Sequence, residues 1–488
     1  MTSPSRGGHP AADSSSRPGI GLIALIALVI SSSIGSGVFA LSADISRAAA
    51  PGPALIAWLI TGAGFMGLAT TLGRLSVEKP GLNGIVAYAR EGFGPFVGFI
   101  CGWGYWLSTW IGVVAFSVMF ISALGYFLPV FSGGLSPLSL ALNSVITWSV
   151  IWLVNRGVER ASAVNAIVMV CKLVPIFVFI ATMVAVFRSE TFTLDIWGAN
   201  ADTSSGEAAL EGTGGQIIDC LMVMMWVFVG MEGATVLGHR ARRKADVSRA
   251  TVLGTTALVI LYIAASILPY GFLPRAELMA VGTPSMAFIF QEAVGPWGGA
   301  FIVGGLIVSI FGAWLSYLML ASETLSEMAR TGLMPRMFAG HNTWGAPTSC
   351  LIATGVVIQI LSVVTLFSAE AYRFAYSLCT AAIVVSWSLA AAYQVKLAWP
   401  RRREGQLGPL VIAAFTCAFL VTSVLISGAR LLMLCCIAYV PGFFFYLRAR
   451  RERGAVAGIA TWERALAAGV TAAAASAIVL LAIGGISL

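Results

Sequence analysis

The chain has 488 residues, 58% of them hydrophobic and only 10% charged, with a net charge of +8 and a mean hydropathy of +0.90. Such a composition excludes a soluble globular protein of this size and indicates an all-α polytopic membrane protein. The positive residues cluster at the ends of apolar stretches in alternation, so they read as topology signals and not as a nucleic-acid footprint.

Residues 1–18 are polar and rich in Ser, Pro and Gly, which predicts a disordered cytoplasmic tail. Ile20 onward is too long for a cleavable signal and is followed by many more spans. Apolar stretches of about 18 residues or more predict thirteen membrane helices. They lie near residues 20–46, 53–77, 95–128, 136–155, 162–187, 215–238, 249–273, 296–329, 348–368, 371–397, 408–427, 430–447 and 465–487. The last, rich in Ala, is the weakest signal. With a cytoplasmic N-terminus, the tail and inside loops hold 23 of the 29 Lys and Arg residues, including Arg240, Arg242, Arg243, Lys244, Arg401, Arg402, Arg403, Arg448, Arg450, Arg451 and Arg453. The outside then holds Arg47, Arg188, Arg275, Arg373 and Arg430. The loop 188–214 carries Glu190, Asp195, Asp202, Glu207 and Glu211, in keeping with an extracellular placement. The Arg240–Lys244 cluster suits acidic lipid heads but needs no role beyond topology, and residues 241–249 are expected to form a short cytoplasmic helix.

Two breaks interrupt these stretches: Ser31-Ser32-Ser33-Ile34-Gly35-Ser36-Gly37 in the first span and Phe228-Val229-Gly230-Met231-Glu232-Gly233 in the sixth. Unwound backbone at membrane depth persists only where it lines a cavity enclosed by protein. A half helix starting at the first break presents free N–H groups and a partial positive charge, which suit a carboxylate. Carbonyl oxygens at the second suit an ammonium. Gly35 and Gly37 could instead serve close helix packing. Breaks in the first and sixth spans, however, match a 5+5 inverted-repeat transporter, with repeats at 19–187 and 215–397 and peripheral helices at 398–488.

Two ionisable residues inside spans, Glu232 and Lys172, bear on the mechanism. Glu232 lies at the second break, where the bilayer disfavours its charge, so a proton could come and go there; the plainer reading is a packing carboxyl bonded to unwound backbone. Lys172 lies ten residues after Ser162, about 15 Å into the fifth span at 1.5 Å per residue. It is either a titratable charge or a purely structural ammonium. Cys101, Cys171, Cys220, Cys350, Cys379, Cys417, Cys435 and Cys436 all lie in apolar segments and match no metal motif. His9, His239 and His341 lie in the tail and loops, so neither a metal site nor a His-based catalytic centre is expected. No motif for a nucleotide or cofactor is present, which argues against an enzyme and against ATP-driven pumping. Trp103, Trp106 and Trp110 read as helix packing or an interface belt.

On Ile34-Gly35-Ser36-Gly37-Val38-Phe39, Tyr88-Ala89-Arg90-Glu91-Gly92-Phe93-Gly94, residues 102–112 and Trp226-Val227-Phe228-Val229-Gly230-Met231-Glu232-Gly233, the chain resembles the amino acid-polyamine-organocation superfamily. Within it the likeness is to the basic amino acid/polyamine antiporters, which include arginine/ornithine and arginine/agmatine exchangers. The first and last motifs are specific for the superfamily, and the likeness covers almost the whole chain. The resemblance implies that Ser33, Ser36 and Gly37 hold the substrate carboxylate and amino group, with Trp226 and Val229 completing the site. Tyr105, Thr109 and Val113 recur every four residues and so share one helix face, which would line the cavity. Tyr317 falls where arginine antiporters carry a stacking Trp, and Thr380 where they carry a Ser. Val113 replaces their Asn, and Ser386-Trp387 their Pro-Tyr. The resemblance also gives Glu232 a role in gating and proton-linked exchange. It sets Lys172, followed by Leu173-Val174-Pro175, against carbonyls near Gly35, where sodium-driven relatives bind an ion.

The expectation is a plasma-membrane antiporter that exchanges arginine or lysine for ornithine or a related amine. Its partners would be the substrate, membrane lipid, protons and a second copy in a homodimer, with no nucleic acid. A proton-coupled symporter for a less polar amino acid is the alternative, favoured by Val113 and Lys172. A channel or non-transporting subunit is a third reading, against which the paired breaks argue.

Overall fold

The computed structural model describes residues 20–82, 84–132, 135–198, 212–236, 238, 241–368, 370–426, 429–454 and 460–483. The tail 1–18 with His9, the loop residues Asp202, Glu207 and Glu211, and His239 and Arg240 lie outside the described residues. Among the described residues nineteen α-helices run in chain order. They are α1 (Leu22–Ser33), α2 (Gly37–Ala48), α3 (Pro51–Glu78), α4 (Gly84–Phe93), α5 (Pro95–Phe127), α6 (Pro137–Asn155) and α7 (Val158–Val186). Then come α8 (Ser189–Thr193), α9 (Thr213–Trp226), α10 (Gly233–Val236), α11 (Lys244–Ile267), α12 (Arg275–Ala280) and α13 (Ser285–Val294). The rest are α14 (Pro296–Thr331), α15 (Thr348–Val364), α16 (Ala371–Ala398), α17 (Leu407–Ile426), α18 (Ala429–Glu452) and α19 (Thr461–Ala482).

Eleven described helices are long and apolar enough to cross a membrane, and α1 with α2, bent by 52°, makes a twelfth span. The α9–α10 segment holds the remaining predicted position, but its pieces of 14 and 4 residues are each too short to pass as a span. Most ends lie within a few residues of expectation, because Pro and small polar residues punctuate the apolar runs. Ser136 Oγ, for example, accepts from Ser139 N at 3.2 Å, and Pro137 opens α6.

Three differences stand out. Helix α7 of the fifth span begins at Val158, four residues before the expected Ser162. Residues 241–249 form no separate helix: Lys244–Arg249 are the first turns of α11, while Ala241 pairs with Ile20 in an isolated bridge. Asp246 in that first turn complements the positive end of the helix dipole, which favours starting α11 early. Finally, α4, α12 and α13 are short helices in connections, below the length that marks a span.

α4 and α13 are counterparts in sequence and backbone. Each ends on a glycine followed by proline, Gly94-Pro95 and Gly295-Pro296, with dihedrals of φ 93°, ψ 177° and φ 97°, ψ 177°. In both places the Gly-Pro step turns the chain directly into a long helix, α5 or α14.

α5 lies at the centre, packed against α14 and α16, while α11 packs on α3 and α1 and α19 on α18. In the apolar window of α5, 89% of residues are buried against 11% in α19, which sets one as core and the other as periphery. The α5 tryptophans are packing residues: Trp103 Nε1 donates to Ala438 O at 3.0 Å and Trp106 Nε1 to Thr354 Oγ1 at 3.1 Å. All eight thiols are free.

Candidate functional site

The first break spans Ile34, Gly35 and Ser36 between α1 and α2. No side chain caps the start of α2, so its leading N–H groups remain available to an anion. The carbonyl side of the break is held from outside. Buried Lys172 on α7 donates from Nζ to Ser31 O and, at 2.7 Å, to Ile34 O. Ser309 Oγ on α14 donates to Gly35 O at 3.0 Å. Backbone that has left helical geometry at membrane depth thus finds partners on two neighbouring helices, as an apolar surround requires.

The second break runs from Val227 to Glu232 in successive tight turns, among them Val229 N to Trp226 O and Gly233 N to Gly230 O. It meets the first directly: the Ser32 hydroxyl lies 2.7 Å from Gly230 O and equally close to Leu28 O of its own helix, and its one proton can serve either. Gly230 has φ +104°, and a Cβ there would stand 2.4 Å from Ser32 O, so both its conformation and its contact demand glycine. Of the carbonyls of this break, that of Val229 accepts from Tyr317 OH at 2.9 Å, and that of Gly230 shares the Ser32 hydroxyl with Leu28 O.

Around the junction, Gly37 abuts Trp226 and Val227 closely enough that a Cβ would lie 2.9 Å from Trp226 Nε1. Tyr372 OH lies 3.3 Å from both Ser36 Oγ and Trp226 Nε1, and so joins α16 to both breaks. The Phe116 ring occupies the space over Gly35, 2.6 Å from an ideal Cβ, and meets Tyr317 edge-on at 4.9 Å. Glu232 is buried, and Trp387 Nε1 donates to its Oε2 at 3.3 Å. The Tyr105 hydroxyl faces the same carboxylate.

The structure thus brings Ser36, Gly37, Trp226, Val229, Tyr317, Lys172, Glu232 and Tyr105 around one junction. The Ser33 hydroxyl is buried without a partner, while its carbonyl accepts Gly35 N at 3.0 Å. Thr109 and Thr380 spend their hydroxyls on Trp106 O and Tyr376 O of their own helices, and Val113 is fully buried. On α5, Phe116 meets the first break at Gly35, and Gly112 one turn before it faces Tyr317. Phe116, Ser309, Tyr372 and Tyr376 also belong to the junction and escaped sequence reasoning, while Ser32 and Trp387 were noted in the sequence without a role in binding. An i, i+4 pair of tyrosines opening the tenth span was the one visible signal among them.

A family model described as amino acid permease matches residues 20–444. The chain belongs to the amino acid permease family. Among its relatives is an arginine/ornithine antiporter of Latilactobacillus sakei, 49% identical over 89% of this chain and 91% of that protein. An arginine/ornithine antiporter of Pseudomonas aeruginosa is 34% identical over 88% and 91%. An arginine/agmatine antiporter of Chlamydia abortus is 34% identical over 90% and 91%. For this family member, the Trp387 that departs from the antiporter pattern is the residue whose indole holds Glu232.

Proposed function

We propose that this chain is a secondary active transporter of the plasma membrane that exchanges arginine or lysine for ornithine or a related amine by alternating access. The observation that carries this reading is the contact between the two breaks, Ser32 Oγ to Gly230 O at 2.7 Å, beside the uncapped start of α2. A carboxylate fits the first N–H groups of α2, and an α-ammonium fits the carbonyls of the second break once a hydroxyl gives way. Relatives named as arginine/ornithine antiporters, similar along most of the chain, support the substrate class. The chain makes or breaks no covalent bond of its cargo.

The matched Gly94-Pro95 and Gly295-Pro296 steps support repeats at 19–187 and 215–397 with 398–488 peripheral. The charge bias supports a cytoplasmic N-terminus. The outer apolar faces meet lipid, and the weakly buried α19 offers one of them to a second copy. Ser33, Ser36, Gly37, Trp226 and Val229 bind the zwitterion; Tyr105, Thr109, Val113, Tyr317 and Thr380 surround its side chain. Glu232 and Lys172 link occupancy to closure and to protons.

A proton-coupled symporter for a less polar amino acid is the second reading, favoured by the apolar Val113. Proteoliposomes containing the purified chain separate the two. Labelled arginine should enter vesicles loaded with ornithine and not empty ones. Uptake into empty vesicles driven by an imposed pH gradient would instead establish symport.

A further inference from the structure

On the α2 side of the junction lies a second group of charged and aromatic residues. Asp44 sits on α2 eight residues past Ser36, about 12 Å along the helix, and is only 8% exposed. Its Oδ1 accepts from Arg47 Nη1 at 3.2 Å, while Arg47 Nη2 donates to Val281 O at 3.2 Å. Arg47 is a third exposed and belongs to the same helix, so this pair adds little stability and does not account for burying a carboxylate here.

The opposite wall comes from α16. The rings of Tyr372 and Tyr376 meet at 5.2 Å, and both lie within reach of the Asp44 charge. Arg373, between them in sequence, pairs with Glu370 at 3.3 Å and also faces Asp44. These tyrosines lead straight to the breaks. The Tyr372 hydroxyl lies 3.3 Å from Ser36 Oγ, and Tyr376 stacks on Trp226 with centroids 6.1 Å apart and planes 20° from parallel. Acid, aromatic pair and junction form one continuous track.

At the junction Val113 offers a cationic side chain no acceptor and the Tyr317 hydroxyl is engaged, so a charge-specific step is better placed outside it. We propose that Asp44, Tyr372 and Tyr376 form an approach subsite that takes the cationic end of a basic amino acid or amine before its carboxylate reaches the start of α2. Arg373 is the cation that the substrate displaces. A carboxylate offers a guanidinium two parallel hydrogen bonds, and the tyrosine faces offer it cation–π contact. The cation is then handed along the rings toward Trp226. At 12 Å from Ser36 by the helical rise, Asp44 selects what approaches and leaves the clamp to hold it.

This inference rests on the exchange reading above, so wild-type proteoliposomes come first; absence of arginine/ornithine exchange there defeats that reading, before any variant is read. In exchanging vesicles, arginine is compared with citrulline, which has the same shape without the charge. Asp44→Asn should raise the KM for arginine about tenfold on the α2 face only, leave inhibition by citrulline unchanged, and be rescued by Asp44→Glu. An unchanged ratio of arginine to citrulline, an equal loss of both, or an equal change on the two faces overturns the subsite. If Asp44→Asn does not fold, Arg373→Gln carries the test. It should lower the KM for arginine without affecting citrulline, and an unchanged ratio again overturns the proposal.

Discussion

Lys172 Nζ lies 2.7 Å from the carbonyl oxygen of Ile34 and bonds Ser31 O as well, so one ammonium from α7 holds both sides of the first break. Its removal strands two carbonyls in an apolar surround, at about 1–3 kcal/mol for each unsatisfied group. Lys172→Ala should therefore unfold at a clearly lower temperature in detergent. Its exchange should either lose its pH response or acquire a dependence on sodium, which would replace the missing charge. A rate and pH profile equal to wild type would remove the coupling role and leave a packing ammonium.

Gly230 and Ser32 join the breaks, and each residue has a distinct expected cost. Ser32→Ala loses the bond to Gly230 O, about 1 kcal/mol, and should fold and transport with a modest fall in melting temperature. Gly230→Ala must hold a side chain at φ +104° with its Cβ 2.4 Å from Ser32 O. The left-handed conformation alone costs about 1–2 kcal/mol, and the clash pushes the two breaks apart. Exchange should be lost even where the protein can be purified. Gly230→Ala with wild-type transport would show that the two breaks need not meet in the working cycle.

Glu232 and Trp387 give a test of proton linkage, and the Glu232 variant leaves shape intact. Glu232→Gln keeps an oxygen for the indole N–H and imitates the neutral carboxyl. Exchange by this variant should persist while its pH dependence flattens. Trp387→Phe removes the N–H donor together with part of a fully buried ring system, so it should lower the melting temperature and shift the pH profile without abolishing it. Glu232→Ala with a normal pH response would assign this carboxyl to packing.

Much of this arrangement could be read in the sequence, because the bilayer imposes length and apolarity on spans and forces every unwound backbone group to find a partner. Gly35, Gly37, Gly230 and Gly233 marked the breaks, and buried charges at Lys172 and Glu232 stood out against an apolar background. The residues that close the site did not stand out. Phe116 and Ser309 are ordinary members of apolar helices, and only the packing of α5 and α14 brings them over Gly35. Trp387 read as a departure from a pattern until its indole was found on Glu232. The periodic face of Tyr105, Thr109 and Val113 was sound as geometry. Even so, the hydroxyl of Thr109 turned back to its own helix, an option helical spacing does not reveal.

The pair Val113 and Tyr317 sets the final prediction, because it separates exchange of cations from symport of less polar substrates. Val113 is fully buried and offers no acceptor, and Tyr317 donates its hydroxyl to Val229 O at 2.9 Å. Val113→Asn introduces a carbonyl that can accept from a cationic side chain. Hydrogen bonds to charged groups are worth about 1.5–3 kcal/mol, so arginine KM should fall about tenfold or more relative to leucine inhibition. Tyr317→Phe keeps the ring and loses the bond to the second break. It should cost about 1 kcal/mol in stability and leave the order of substrates unchanged. Tyr317→Trp strengthens stacking on a cation and should add to the effect of Val113→Asn. If leucine instead competes better than arginine with wild type and Val113→Asn reverses that order, the apolar pocket is the natural one and the native substrate is less polar.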